Sequence, residues 1–296
     1  MAHKQSTAPS TFDPAWLDVQ YNNRARVPDF ADHFAHWAEA SVQAQKAPSA
    51  VIDIAYGDSD KEKLDVFPAA AVGEPAHDGA PVLFFIHGGW WRSLDKSDHS
   101  FVAPAFTAAG ACVVVPNYDL CPAVTIPEIT LQMVKALAWT WRNIARFGGD
   151  PKRITVAGHS AGGHLSAMML ACDWPSYSPD LPADLVKNAF SVSGLHDLAP
   201  LAHTPAMKDV LRLTPGDVQR ASPALLRRPS GGRLYSVVGA QESEEFLRQN
   251  RAIQEAWGSQ AVPVCEELPG LNHFSIVQTL TQPGQRSHQL ALELLR

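Results

Sequence analysis

The stretch "RITVAGHSAGGHLSAMMLA", residues 153–171, joins a strand-like apolar run to a helical pattern with no loop between them. Ser160 stands at the junction, with Gly158 and Gly162 two positions to either side, in the pattern G-x-S-x-G. A serine in so sharp a turn has a strained backbone, and its neighbours must be small to avoid collision. The stretch therefore predicts a strand, a turn that exposes the Ser160 hydroxyl as a nucleophile, and a helix. The alternative is a glycine-rich turn with no chemical role.

The same alternation of strands and helices continues along the chain. It predicts an α/β fold with a mostly parallel sheet covered by helices on both faces. Two runs, "AVIDIAYG" (50–57) and "EKLDVFPA" (62–69), flank a polar turn and predict an antiparallel hairpin that leads the sheet. Further buried strands are predicted in "VLFFIHGGWW" (82–91), "ACVVVPNYDL" (111–120), "LVKNAFSVSG" (185–194), "RLYSVVGA" (233–240) and "VPVCEEL" (262–268).

Length and composition favour a single domain. The chain has 296 residues, and its 46% hydrophobic and 18% charged residues are ordinary for a globular protein. Residues 1–13 are expected to form a loose tail, and residues 14–48 a helical arm that packs on the domain. Residues 195–232 interrupt the alternation and are too long for a simple connection. We expect them to form a small helical insertion near the strand ends, where a lid could lie.

The charge balance argues against two classes of partner. A net charge of -6 gives no electrostatic reason to expect nucleic acid or an anionic membrane, so a small-molecule substrate is favoured. No apolar run approaches the roughly 20 residues that span a bilayer. The polar N-terminal segment lacks the apolar core of a secretory signal, and four widely spaced cysteines predict neither disulfides nor structural zinc. We expect a cytoplasmic protein without metal or cofactor, and a homodimer is compatible with the sequence.

The motif "HGGWW", residues 87–91, follows a buried strand and predicts an oxyanion hole. Adjacent glycines let backbone N–H groups turn towards the oxygen of a reacting carbonyl, and such donors stabilise the negative charge that develops there. The N–H of the residue after the serine completes the arrangement in this kind of nucleophilic turn. The expected donors are Gly88, Gly89, Trp90 and Ala161.

The general base is expected far from Ser160 in the sequence. His159 and His164 flank the serine, but the first points away from a hydroxyl in such a turn, and the second lies one turn into the helix. In this architecture the chain order is nucleophile, acid, histidine, so the base should follow the last strand. The segment "CEELPGLNHFSI" (265–276) places His273 there.

Two carboxylates are candidates for the catalytic acid. Glu242 emerges at the end of the predicted strand 233–240 and is the first candidate. Asp197, in "SGLHDL" (193–198) after the preceding strand, is the alternative, because either strand end can present a carboxylate to the histidine. In both cases the acid orients the imidazole and stabilises its charged form.

Several of these segments together resemble the kynurenine formamidase (arylformamidase) branch of the α/β-hydrolase fold, in which HGGxW stands where related esterases have HGGG. The segments are "HGGWW", "GHSAGGHLSA", "SGLHDLAPL", "VVGAQESEEFLRQ" and "LNHFS". In addition, "YNNRARVPDF" (21–30) is similar to the N-terminal segment of bacterial members. The resemblance implies an α/β-hydrolase fold with Ser160, Glu242 and His273 as the catalytic residues.

For the substrate, the resemblance implies hydrolysis of N-formyl-L-kynurenine to L-kynurenine and formate, a step of tryptophan degradation, through a formyl-enzyme. The alternative is a carboxylesterase that uses the same machinery on small acyl esters. Candidates for the substrate pocket are Trp90, Trp91, His159 and His196. A catalytically inactive binding protein and a metal hydrolase are weaker alternatives, because the catalytic set is intact and the sequence has no HExxH motif.

Overall fold

The computed structural model describes residues 13–70 and 79–296. Its strands are β1 Val51–Ala55, β2 Lys63–Phe67, β3 Ala80–Ile86, β4 Cys112–Pro116, β5 Gly149–His159, β6 Val186–Val192, β7 Arg233–Gly239 and β8 Val264–Leu268. Together they form an eight-stranded sheet in the order β1-β2-β4-β3-β5-β6-β7-β8. The predicted loose tail lies outside the described residues except for Asp13, which caps the first helix.

The helices of the described ranges are α1 Pro14–Tyr21, α2 Asn23–Arg26, α3 Phe30–Gln45, α4 Ala103–Ala108, α5 Ile126–Asn143, α6 Ala161–Leu170, α7 Trp174–Tyr177, α8 Pro205–Leu211, α9 Pro215–Ala221, α10 Glu244–Trp257, α11 Ser275–Gln278 and α12 Arg286–Leu295. Short 3₁₀ turns lie at Lys96–Asp98, Ser100–Val102, Ile144–Phe147, Pro200–His203, Pro223–Leu225 and Thr279–Thr281. None of these helices is long and apolar enough to cross a membrane.

The sheet has an antiparallel edge and a parallel body. β1 pairs with β2, and β2 with β4, in antiparallel register, whereas the pairs from β4 through β3, β5, β6, β7 and β8 are parallel. The predicted α/β fold with a leading antiparallel hairpin is therefore confirmed. Because parallel strands point the same way, the loops after β3, β5, β6, β7 and β8 meet along one edge, which is where ligands bind in open α/β sheets.

Helices cover both faces of the sheet because its central strands carry apolar side chains on each face. In β3, Phe84 belongs to one buried cluster and Phe85 to the other, as the period-two alternation of a strand requires. Leu137 of α5 and Leu165 of α6 pack in the first cluster. Phe106 of α4 packs in the second. The parallel strands are thus buried on both sides, which explains their continuous apolar sequences.

The N-terminal arm is tied to the body of the fold through α10. The Tyr21 hydroxyl donates to Glu245 Oε2 at 2.6 Å, and Gln249 Nε2 donates to the Tyr21 oxygen at 3.1 Å. Burial, reinforced by the nearby Glu245 carboxylate, raises the pKa of Tyr21 well above its usual value, so the phenol stays a hydrogen-bond donor. α1 to α3 therefore form part of the wall around the strand ends.

Candidate active site

Ser160 lies between β5 and α6 in a backbone conformation that few residues adopt. Its φ of 57° and ψ of -116° put it in a strained turn, where its N–H donates to Val192 O at 2.8 Å. A Cβ on Gly158 would come within 2.3 Å of Gly162 O, and one on Gly162 within 2.0 Å of Ile86 O. The two glycines are therefore required by close backbone approach on both sides of the serine.

His273 is hydrogen-bonded to the first of the two candidate acids. Its Nδ1 lies 2.6 Å from Glu242 Oε2, and both side chains are almost wholly buried. Since a carboxylate only accepts, Nδ1 carries the proton and Nε2 is the basic nitrogen of the neutral ring. The other carboxylate oxygen accepts the Gly239 N–H at 2.8 Å and the Ser193 hydroxyl at 2.5 Å.

The alternative acid, Asp197, has a different partner. Its Oδ2 lies 3.2 Å from Arg248 Nη1, and its Oδ1 accepts the Ala199 N–H at 3.0 Å. Arg248 is also paired with Glu245, so Asp197 belongs to the network that holds α1 and α10 together. In the structure the carboxylate that reaches His273 is that of Glu242 and not that of Asp197.

The "HGGWW" loop packs directly against the turn that carries Ser160. A Cβ on Gly88 would come within 2.8 Å of His159 O and 3.2 Å of the Ser160 Cβ, and Gly89 has a φ of +112°. Ala161 is the first residue of α6, and the first N–H groups of a helix have no acceptor within it. Gly88 and Ala161 thus lie beside the serine, and Gly89 and Trp90 line the same cavity as Ser160. Their role as an oxyanion hole stays a prediction.

His87 supports this loop from behind. Its Nδ1 lies 2.7 Å from Gly88 O, and its Nε2 lies 3.0 Å from Asn117 Oδ1. The ring stacks on Tyr118, with centroids 4.2 Å apart and planes 4° apart, and the Tyr118 hydroxyl donates to His87 O at 2.9 Å. Complete burial lowers the pKa of His87, so its role is to brace backbone rather than to carry charge.

A cavity of about 300 Å³ opens in front of the serine. Ser160, His273, Trp90 and His159 all line it. His159 donates from Nε2 to the backbone oxygen of His273 at 2.8 Å. Burial, and then the adjacent His273 ring, lower the pKa of His159 well below its usual value, which leaves it neutral. His159 is therefore part of the cavity wall, and its hydrogen bond holds the backbone of the loop that carries His273.

Two of the pocket candidates are wrong. Trp91 is fully buried under the loop, with its ring edge-to-face against His164 at 5.0 Å between centroids, and it does not line the cavity. His196 is also fully buried, with Nε2 3.2 Å from Ser191 Oγ, and burial lowers its pKa to about 3. His164, which flanks the serine in sequence, donates to Ala221 O at 2.6 Å instead of approaching it. His164 points into the interior because α6 is buried all round.

The arm contributes more of the cavity wall than the sequence indicates. From α1 to α3 come Asp18, Tyr21, Asn22, Asn23, Arg24, Phe34 and Trp37. The insertion at 195–232, expected as the lid, supplies only Thr204, Ala206 and Met207. The sequence analysis points to the arm only through the similarity of segment 21–30 to related sequences. That similarity does not indicate that the arm lines the cavity.

Within residues 13–70 and 79–296, no three His, Cys, Asp or Glu side chains come together as a metal site would require. The described site instead brings the Ser160 hydroxyl and the His273 imidazole to one cavity and joins the imidazole to the Glu242 carboxylate, which are the groups that acyl transfer uses. Such an arrangement can attack a carbonyl carbon and hydrolyse the resulting ester.

Comparison with known proteins assigns the chain to a family. Residues 83–276 match the family model described as the alpha/beta hydrolase fold. The chain belongs to the α/β-hydrolase family. The matched region includes Ser160 and His273, together with the strands from β4 to β8.

The relatives are hydrolases of two kinds. Kynurenine formamidase of Salmo salar is 27% identical over 93% of this chain and 92% of its own, and that of Danio rerio is 28% identical over 89% and 88%. Esterase LipC of Mycobacterium tuberculosis is 33% identical over 81% of this chain and 64% of its own. The chain is accordingly a kynurenine formamidase-like α/β hydrolase, and an enzyme.

Solved structures agree on the fold. A crystal structure from Silicibacter sp., provisionally named a thioesterase, has a TM-score of 0.78 and 30% identity over 91% of this chain and 96% of its own. Esterase B of Lactobacillus rhamnosis has a TM-score of 0.65 and 19% identity over 92% of this chain and 94% of its own, which shows a likeness of fold alone.

Proposed function

We propose that this α/β hydrolase removes the formyl group of N-formyl-L-kynurenine, giving L-kynurenine and formate, with Ser160 as nucleophile, His273 as general base and Glu242 as the acid. The observation that carries the proposal is the bond of 2.6 Å between His273 and Glu242 at the rim of the cavity that Ser160 lines. The formamidase relatives, which match nearly the whole chain, support the choice of acyl group.

In the first half of the reaction, His273 Nε2 takes the proton of the Ser160 hydroxyl as its oxygen attacks the formyl carbon. The carbonyl oxygen becomes negative and is stabilised by the N–H groups around Gly88, Gly89 and Ala161. His273 then gives the proton to the anilide nitrogen, the C–N bond breaks, and kynurenine leaves. The formyl group remains as an ester on Ser160.

In the second half, water replaces kynurenine. His273 takes a proton from the water while its oxygen attacks the formyl ester, and the proton then passes to the Ser160 oxygen as formate leaves. Glu242 keeps the imidazole in the tautomer with Nδ1 protonated and stabilises the imidazolium that forms twice in each cycle. Overall, one anilide and one water become one amine, one formate and one proton.

A carboxylesterase acting on small acyl esters is the second candidate, and the identity of 33% to Esterase LipC favours it. The two functions share the catalytic residues and differ in the leaving group. Measurement of kcat/KM for N-formyl-L-kynurenine and for p-nitrophenyl acetate separates them. The formamidase proposal requires turnover of the anilide, and hydrolysis of the ester with no action on the anilide would overturn it.

A further inference from the structure

The cavity lining combines two kinds of chemistry. Ser160 and the glycine loop 87–91 line it together with charged and amide side chains of the N-terminal arm. Aromatic rings line it as well, with Tyr21 edge-to-face on Trp90 at 5.7 Å between centroids. A pocket of this kind suits a ligand with a reactive acyl group, a flat ring and a polar end.

Arg24 is an exposed side chain of α2 that has no carboxylate partner among the described residues. Its guanidinium lies 5.5 Å from the centre of the Phe30 ring and 5.4 Å from that of Phe34. Such contacts orient a guanidinium while its N–H donors stay available to an anion. Arg24 lines the cavity, so the anion it would bind is part of a ligand inside it.

Asn23 gives an independent sign of a ligand-binding site. The residue is only 5% exposed and lines the cavity, yet its Nδ2 has no hydrogen-bond partner in the described structure. A buried amide donor without an acceptor costs about 1–3 kcal/mol, and native proteins rarely leave one unsatisfied. An acceptor oxygen from a ligand next to Arg24 would satisfy it.

Asp18 supplies the opposite charge in the same cavity lining. Its Oδ1 accepts the Ala206 N–H at 2.9 Å, which fixes the side chain and leaves the second oxygen for a cationic group. Arg92 also lines the cavity and adds a second positive charge. Its Nη1 donates to Ala206 O at 3.1 Å. The wall therefore presents both signs of charge, as an amino-acid zwitterion requires.

We infer that the arm forms a subsite for the α-amino-acid end of the substrate, in which Arg24 and Asn23 bind the carboxylate and Asp18 binds the ammonium group. The inference rests on the proposed formamidase function, since it assigns the end of the substrate that does not react. It makes the arm, rather than the insertion at 195–232, the element that selects the leaving group.

The test compares two anilides that differ only in the carboxylate: N-formyl-L-kynurenine and N-formylkynuramine. For the wild-type enzyme we expect kcat/KM to be about 30-fold higher with the carboxylate, the size typical of a charge-assisted hydrogen bond. In Arg24→Gln the preference should fall to near unity. Arg26→Gln, an exposed arginine of the same helix that does not line the cavity, is the matched control and should keep the wild-type preference.

If Arg24→Gln lowers kcat/KM equally for both anilides, their ratio is unchanged. The substitution has then only disturbed the arm, and this result would overturn the subsite. Equal turnover of the two anilides by the wild type would also overturn it while leaving the formamidase function standing. Failure of the wild type on both anilides, with p-nitrophenyl acetate still hydrolysed, would overturn the formamidase function and the subsite together.

Discussion

His273 Nδ1 lies 2.6 Å from Glu242 Oε2, and the two side chains are 5% and 0% exposed. The glutamate is held at its other oxygen by the Gly239 N–H and the Ser193 hydroxyl. Phe246 packs on the His273 ring, with centroids 4.6 Å apart. The imidazole is thus fixed in both tautomer and orientation before any substrate binds, which is what a general base for Ser160 requires.

Glu242→Gln is expected to lower kcat about 10³- to 10⁴-fold, because an amide cannot stabilise the imidazolium and favours the wrong tautomer of His273. The matched control is Asp197→Asn. Asp197 pairs with Arg248, and a partly exposed pair of this kind contributes little, so its kcat should stay within about threefold. Steady-state kinetics of both variants provide the check. A greater loss in Asp197→Asn than in Glu242→Gln would reverse the assignment of the acid.

Gly162→Ala is expected to lower the free energy of unfolding by about 1–3 kcal/mol, the usual cost of overpacking. The added Cβ would lie 2.0 Å from Ile86 O and 2.8 Å from His87 O, so the loop 87–91 must move. Activity should fall along with stability. Gly231→Ala is the control, since a Cβ there meets nothing within 4 Å.

Urea unfolding of the two alanine variants, followed by circular dichroism, gives the comparison. If Gly162→Ala unfolds at the same urea concentration as Gly231→Ala and keeps full activity, the backbone around Ser160 is not packed as described.

The buried histidines predict that stability falls in mild acid. Burial lowers the pKa of His99 and of His196 to about 3, and that of His164 to about 4. In the unfolded chain these rings bind protons near pH 6.5, so between about pH 6.5 and 4 the unfolded state carries more protons than the folded state. Their contribution is therefore complete above about pH 6.5 and is lost as the pH falls towards 4.

Urea unfolding between pH 7.5 and pH 5 measures this slope. His164→Gln should make the free energy of unfolding less dependent on pH by up to about 1.4 kcal/mol per pH unit, since one titrating ring is removed. His36→Gln, at an exposed position, is the control and should keep the wild-type slope. Greater stability at pH 5 than at pH 7.5 in the wild type would contradict the neutral state of the buried rings.

The sequence predicts those parts of the molecule that depend on local patterns. The turn at Ser160 is signalled by glycine spacing and by a strand and helix that touch it directly. The alternation of strands and helices predicts a mostly parallel sheet led by an antiparallel hairpin, but it does not predict the order of the strands. Glu242 is the first candidate for the acid and Asp197 stays an alternative, because both follow strand ends, and only the course of the loop that carries His273 decides which one it meets.

Other features depend on contacts between distant segments. Tyr21 and Glu245 are 224 residues apart in the chain, and their hydrogen bond places the arm at the cavity without any local signal. The prediction that Trp91 and His196 line the substrate pocket is wrong for a related reason. Each stands next to a functional motif in sequence, but the direction of its side chain is set by packing against α6 and β6 in the interior.

The central claim is that Ser160 carries the acyl group, and intact-protein mass spectrometry after treatment with a fluorophosphonate tests it most directly. The wild type should gain the mass of one adduct, located on the peptide that contains Ser160, and lose its hydrolytic activity in step. Ser160→Ala should gain none, whereas Ser166→Ala, whose hydroxyl bonds to Gly162 O within α6, should still be labelled. Labelling of Ser160→Ala to the wild-type extent, or turnover by that variant at the wild-type rate, would contradict the account.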